Sequence, residues 1–88
     1  VMNQMYIVSF NSPHHAIRSE KLFGENSLKV MALPTPREIT ASCGISIKFS
    51  FEDMEKIKTI LVENNVDIKG IYCISKLENG SKEVEKLD

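Results

Sequence analysis

Short runs of apolar and β-branched residues alternate along the chain with two longer amphipathic segments. Four of the runs predict β-strands, at residues 5–10, 28–33, 44–49 and 70–75. In the third run Ile45, Ile47 and Phe49 alternate with Ser46 and Lys48, which is the pattern of a strand with one buried face.

The two amphipathic segments predict helices that extend to about residues 26 and 65. Ser12 followed by Pro13 favours a helix start, since the serine side chain can cap an N–H group and proline has none to leave unpaired. The residues expected to face inward are Ala16, Ile17 and Phe23 in the first helix, and Phe51, Met54, Ile57, Ile60 and Leu61 in the second.

The resulting order, βαββαβ, predicts a ferredoxin-like α+β sandwich. Two helices are then expected to cover one face of a four-stranded antiparallel sheet of order 4-1-3-2. Residues 1–75 would form this single domain, and the charged tail, residues 76–88, would be a frayed helix or disordered. In this topology the first two strands end at the same end of the sheet, so the first helix would begin near the loop at residues 34–44.

Composition narrows the class of protein. The chain has 88 residues, 42% hydrophobic and 26% charged, with a net charge of −1, which is typical of one small globular domain. Its longest apolar run, residues 30–33, is too short for a membrane span, and no signal-peptide pattern opens the sequence, so a cytoplasmic protein is expected. The sequence has no cluster of basic residues of the kind that would indicate a nucleic-acid partner. The two cysteines form no CxxC pair, and neither a disulfide framework, structural zinc nor a cofactor is expected.

The candidate site is the loop that Cys43 closes. A hairpin connection usually takes about two to five residues, and longer ordered loops are more often functional. This one carries Thr35, Arg37 and Ser42 before the cysteine, and Gly44 after it. The other cysteine, Cys73, lies inside an apolar strand and is interpreted as a core residue.

The expected neighbour of Cys43 is the first turn of the first helix, with Ser12, His14 and His15. Unpaired N–H groups and the positive end of the helix dipole favour a thiolate there. Arg37 would add positive charge, and a histidine could accept the proton. Such a thiolate could hold sulfur or selenium as a persulfide or selenosulfide. The same pocket could instead bind a phosphate or carboxylate, with the thiol incidental. A third interpretation is that Cys43 is a small apolar residue packed at a strand start and that His14 and His15 are solvated.

Two stretches of the sequence stand out together: Ser12-Pro13-His14-His15-Ala16, and the run from Pro34 to Ile39 that Ser42-Cys43-Gly44 follows. They resemble a small bacterial family of selenium/sulfur carrier-like proteins of unknown function. The resemblance implies a stand-alone carrier that exchanges sulfur or selenium with partners such as a cysteine desulfurase. It places the cargo on Cys43. Established sulfur-relay carriers have a Cys-Pro-x-Pro motif, which is absent here because Gly44 follows the cysteine.

Three functions therefore stay open on the sequence. The first is the carrier, which has no turnover of its own, so the chain is interpreted as a carrier or binding protein rather than as a turnover enzyme. The second is a regulatory module that binds a small anion or metabolite at the helix start and the loop. The third is an interaction domain that forms a homodimer through the uncovered sheet face, where apolar residues are more frequent than a solvated surface needs.

Overall fold

Five strands and two helices make up the part of the chain that the computed structural model describes, residues 3–37, 39 and 44–88. The elements are β1 (Asn3–Phe10), α1 (Pro13–Glu25), β2 (Met31–Pro34), β3 (Ile45–Phe49), α2 (Met54–Glu63), β4 (Ile68–Lys76) and β5 (Lys82–Lys86). A 3₁₀ turn, Phe51–Asp53, leads into α2. Within the described ranges no helix is long and apolar enough to cross a membrane.

The expected four-stranded ferredoxin-like sandwich is wrong, because the sheet has five strands in the order β2-β3-β1-β4-β5. All the paired strands are antiparallel, and β1 lies at the centre. The added strand comes from the segment expected to be a frayed helix or disordered. It pairs with β4 from Lys76 opposite Lys82 to Tyr72 opposite Lys86, after a turn in which Gly80 has a φ of +87°.

Both helices pack on one face of this sheet. The register places Val8 of β1 beside Ile47 of β3 and Ile71 of β4, and directly opposed residues share a face. The buried core on this helix-covered face comprises Val8, Phe10, Ala16, Phe23, Leu28, Ile47, Phe49, Met54, Ile57, Ile60, Leu61 and Ile71. Burial of these side chains is the main favourable contribution to folding.

The buried stripe of α1 differs from the expected one. The predicted N-cap is confirmed, since the Ser12 hydroxyl accepts from the His15 N–H and Pro13 occupies the first turn. However, Ile17 is 62% exposed, and the fully buried Ser19 takes its place in the stripe with Ala16 and Phe23. The spacing of three and then four residues keeps this stripe on one side of the helix.

Each helix ends in a Schellman motif, and the first of these shortens the second strand. The Leu28 N–H donates to the Phe23 carbonyl at 2.9 Å, with Ser27 at a φ of +62°, so Leu28 closes α1 instead of starting a strand. The second strand therefore begins at Met31 rather than at residue 28. In α2 the Val66 N–H reaches the Leu61 carbonyl in the same way, at 3.0 Å.

The second face of the sheet, which we call the open face, is also buried near its centre. Ile7 of β1 is fully buried although it points away from the helices, and Ile74 of β4 is nearly so. The expected homodimer assumed that such residues were exposed, and their burial within one chain removes that argument. Homodimerisation stays a prediction. The large exposed apolar residues lie on separate elements: Ile17, Met31, Phe51 and Val62.

The buried Ser19 gives a test of the corrected helix stripe. Its Oγ has no hydrogen-bond partner among the described residues. An unsatisfied buried hydroxyl costs about 1–3 kcal/mol, so Ser19→Ala should stabilise the protein by about 1 kcal/mol or more in urea unfolding. Arg18→Ala, at an exposed position of the same helix, reports the effect of helix propensity alone. A Ser19→Ala variant that is less stable than the parent would mean that this hydroxyl has a partner.

Candidate functional site

The two ends of the loop between β2 and β3 are joined by the sheet ladder. Pro34 is paired with Ile45, and one step beyond, the Thr35 N–H donates to the Gly44 carbonyl at 2.9 Å. A Cβ at position 44 would lie 3.2 Å from Thr35 Oγ1, a close approach that glycine accommodates without displacing the threonine. The loop therefore begins and ends at adjacent points of the sheet edge.

A chain of three hydroxyls secures this loop base to the centre of the sheet. Ser9 Oγ of β1 and Ser46 Oγ of β3 lie 2.7 Å apart, and Thr35 Oγ1 lies 2.8 Å from Ser46 Oγ. Ser9 is almost fully buried and Ser46 is 0% exposed. Neither serine could be recognised as a site residue from the sequence, because polar positions of an alternating strand are expected to be solvated. What identifies the two serines as neighbours is the strand register, which places them directly opposite each other beside the loop.

The start of the loop lies on the open face. Pro36 lines a cavity of about 260 Å³ together with Met5, Ile74 and Lys48, whose side chains belong to β1, β4 and β3. The Ile39 N–H donates to the Pro36 carbonyl at 3.0 Å and forms a turn there. Arg37 in this turn is exposed to solvent. Thr35 and Pro36 thus contribute to the cover of the face that the helices leave open.

The first turn of α1 lies at the end of the sheet where β1 ends. The second strand also ends there, because β1 and β2 are both antiparallel to β3. His14 is exposed, whereas His15 is half-buried and its Nδ1 atom has no partner among the described residues. The described loop residues bond to β3 and, through Ser46, to β1; none of these hydrogen bonds joins the loop to the α1 turn.

Of the two cysteines, Cys73 is the one whose surroundings are described. It is 6% exposed and has a free thiol, so its interpretation as a core residue is confirmed. Cys43 and Ser42 lie outside the described residues, and their roles stay predictions. Within the described part of the chain no three His, Cys, Asp or Glu side chains are grouped as metal ligands.

Cys73 belongs to a small polar cluster near the start of β1, away from the end of that strand where α1 begins. The Tyr6 hydroxyl donates to Gln4 Oε1 at 3.2 Å, and Ser75 Oγ lies 3.9 Å from the Cys73 sulfur. The Tyr6 ring packs against Phe51 with centroids 5.1 Å apart. Burial raises the pKa of the Tyr6 phenol above its ordinary value, and the neighbouring Cys73 thiol raises it further.

These features define a class of protein: a small α+β domain whose anchored loop contains one of its two cysteines, while the other is in the core. The family described as "Putative Se/S carrier protein-like" matches residues 5–73, and the chain belongs to this family. The match confirms the resemblance found in the sequence. No curated protein matches the chain.

The hydroxyl chain predicts the effect of Ser46→Ala. This change removes the partner of both Ser9 and Thr35 and leaves the buried Ser9 hydroxyl unsatisfied, at a cost of about 1–3 kcal/mol. In a domain of this size the melting temperature should fall by about 4–8 °C per kcal/mol. Ser50→Ala is the control, because Ser50 is exposed and its side chain makes no capping bond. Equal melting temperatures for the two variants would contradict a structural role for the hydroxyl chain.

The Tyr6 cluster predicts a raised phenol titration. In a Tyr72→Phe variant, where Tyr6 is the remaining tyrosine, the ultraviolet absorbance midpoint should lie above the ordinary value of about 10. Adding Cys73→Ala should move the midpoint back down. Because the folded protein favours the protonated phenol, this contribution to stability is present below pH 10 and is lost as the pH rises through the folded pKa. A midpoint at or below 10 in the first variant would contradict the prediction.

Proposed function

We propose that the protein carries sulfur or selenium on Cys43, as a persulfide or a selenosulfide. The observation that carries the proposal is the family match over residues 5–73, which includes the whole loop and its cysteine. The family description names selenium and sulfur carriage but no residue. The assignment to Cys43 is therefore our own, and it follows from the sequence and from the position of the second thiol.

The burial of Cys73 supports the choice of cysteine. Thiol exchange requires access of the donor sulfur to the attacking thiolate. Cys73 is nearly buried in the central part of β4, where it is paired with Tyr6 and with Glu85. Its thiol is therefore poorly accessible to a donor protein. Since the chain has two cysteines, the cargo residue of this proposal is Cys43.

The transfer step is a thiol exchange without net oxidation or reduction. The Cys43 thiolate attacks the outer sulfur of a donor persulfide, R–S–SH, and a new S–S bond forms as the donor S–S bond breaks. The electron pair of the broken bond leaves with the donor thiolate, and the terminal sulfur keeps its proton. A donor R–S–SeH reacts in the same way and leaves selenium on Cys43. The carrier passes the atom on by the reverse exchange, in which an acceptor thiolate attacks the outer sulfur or selenium and Cys43 leaves as the thiolate.

The loop base suits this role. The Thr35–Gly44 bond and the hydroxyl chain hold the residue that follows Cys43 in a defined position on the sheet. We propose that Ser12, His14, His15, Thr35, Arg37, Ser42 and Gly44 form the surroundings of the thiol. The start of α1 and the Arg37 guanidinium would then lower the pKa of the Cys43 thiol below the free value of about 8.5.

The implied partner is a protein that generates a persulfide, such as a cysteine desulfurase, or another protein that handles sulfur or selenium. The exchange requires a free Cys43 thiol, and the cytoplasm is a reducing compartment that keeps thiols free. No cofactor is needed, because both electrons of the new bond come from the thiolate. The protein acts as a carrier whose turnover belongs to its partners.

The proposal predicts a large difference between the two thiols. With iodoacetamide at pH 7, Cys43 should react rapidly and Cys73 only on unfolding, with a Cys43 midpoint below about 8.5. After incubation with a cysteine desulfurase and cysteine, intact mass should show one added sulfur atom that a reductant removes. Cys43→Ser should abolish this adduct, and Cys73→Ala, the matched control, should retain it. An adduct that persists in Cys43→Ser would contradict the proposal.

Two further variants test the surroundings of the thiol. Arg37→Ala should raise the midpoint pH of Cys43 alkylation if the guanidinium faces the sulfur, because a nearby positive charge favours the thiolate. Lys21→Ala removes a positive charge from an exposed position of α1 and serves as the control. His14→Ala should change the pH dependence if that ring accepts the proton. Equal midpoints in the Arg37→Ala, Lys21→Ala and parent proteins would mean that the Arg37 guanidinium does not act on the Cys43 thiol.

The second candidate is the anion-binding module at the first turn of α1. Its support is the buried Nδ1 atom of His15, which has no partner among the described residues. A helix N-terminus favours an anion, and a protonated histidine would add a donor. Phosphate that shifts the His15 ring signals in NMR spectra, with no sulfur adduct on Cys43, would favour this function over the carrier.

A further inference from the structure

The open face carries a concentration of positive charge that the sequence does not reveal. Strand register assigns Lys48, Lys76, Lys82 and Lys86 to this face, since they align with Ile7, Ile74 and Tyr72 by pairing and alternation. The two glutamates of β5, Glu83 and Glu85, alternate with its lysines and point to the helix-covered side. No Asp or Glu lies among the described strand residues of the open face. A chain of net charge −1 thus has one positively charged face.

Three of these lysines surround the cavity beside Pro36. Lys48 approaches it from β3, whereas Lys76 and Lys82 approach it from β4 and β5, and Met5 and Ile74 form an apolar floor. Its volume of about 260 Å³ is smaller than the range of about 300–1,000 Å³ that is usual for drug-sized ligands. A ligand of a few heavy atoms with several negative charges matches both the size of the cavity and its charge.

The register brings two of these lysines together, since Lys76 and Lys82 are directly opposite each other in the β4–β5 ladder. Lys82 and Glu78 of the connecting turn each have a further interaction within the protein. We therefore expect Lys48 and Lys76 to be the main anion ligands, with Lys82 as a lining residue. An anion held by Lys48 and Lys76 would accept charge-assisted hydrogen bonds from both.

We propose that this cavity is a binding site for a small phosphate-type oxyanion, either free or as the terminal group of a small metabolite. It lies on the open face and is distinct from the first turn of α1. Its existence does not depend on the carrier function, and it would retain the anion in a Cys43→Ser variant. Because the lysines are exposed, the affinity should be modest and should decrease with salt.

The test is an NMR titration of the full chain with inorganic pyrophosphate at constant ionic strength. Saturable shifts are expected at the amides of Met5, Lys48, Ile74 and Lys76. Lys48→Gln and Lys76→Gln should each weaken binding by about tenfold, the loss of one charge-assisted contact. Lys21→Gln and Lys56→Gln remove the same charge from exposed helix positions and should leave the affinity unchanged.

Three results would overturn the proposal. The first is a titration without saturation, and the second is an equal loss of affinity in the cavity variants and the helix controls, which would indicate screening by the whole protein. The third comes from a parallel titration with a single-stranded oligonucleotide. Shifts spread over the entire open face, with no response to pyrophosphate, would identify a nucleic-acid surface instead. A terminal phosphate on a small sugar or nucleoside that competes with pyrophosphate would identify the metabolite form of the ligand.

Discussion

The central strand β1 must be buried on both sides, and the rest of the structure depends on this constraint. Ile7 and Val8, neighbours in sequence, point to opposite faces of the sheet, and both are fully buried. The helices bury Val8 on one face of the sheet. Ile7 needs a second cover, which a two-layer sandwich does not supply, and Thr35 and Pro36 lie on that side. Thr35 and Pro36, at the start of the loop with the candidate cysteine, consequently take part in the packing of the sheet.

A loop on a sheet face brings polar groups into a dry environment, and the hydroxyl chain resolves this problem. Ser9, Ser46 and Thr35 satisfy one another, so the open face can be buried without leaving these hydroxyls unpaired. Apolar residues at the same positions would also exclude water, but they would not select one position for the loop. Directional bonds of this kind specify a single arrangement of the loop base.

Most elements of the fold could be predicted from the sequence, because their apolar periodicity is strong. The fifth strand could not be, since Lys82–Lys86 contains one apolar residue, Val84, and its pairing depends on the backbone ladder with β4. Ser19 and Ile17 exchanged roles because side-chain polarity does not report which residue the sheet covers. These errors share a cause: burial is decided by distant segments that local patterns do not contain.

The candidate site shows the same division between local and distant information. Proline, glycine and cysteine marked the loop from the sequence alone, because turn chemistry is local. The partners Ser9 and Ser46 are separated by 37 positions and became recognisable only through strand register. The lysines of the open face are likewise scattered along the chain. A charge count over a sequence window cannot detect a surface that alternation and pairing assemble.

The joined ends of the loop have a consequence for how this scaffold can vary. Thr35 and Gly44 are held together by a 2.9 Å bond that involves backbone atoms only. Closure of the segment between them is therefore imposed by the sheet and not by its own sequence. Doubling the length of a closed loop costs only about 0.6 kcal/mol. Segments of different length and chemistry can thus be inserted at this point, which makes the domain a frame that accepts interchangeable loops.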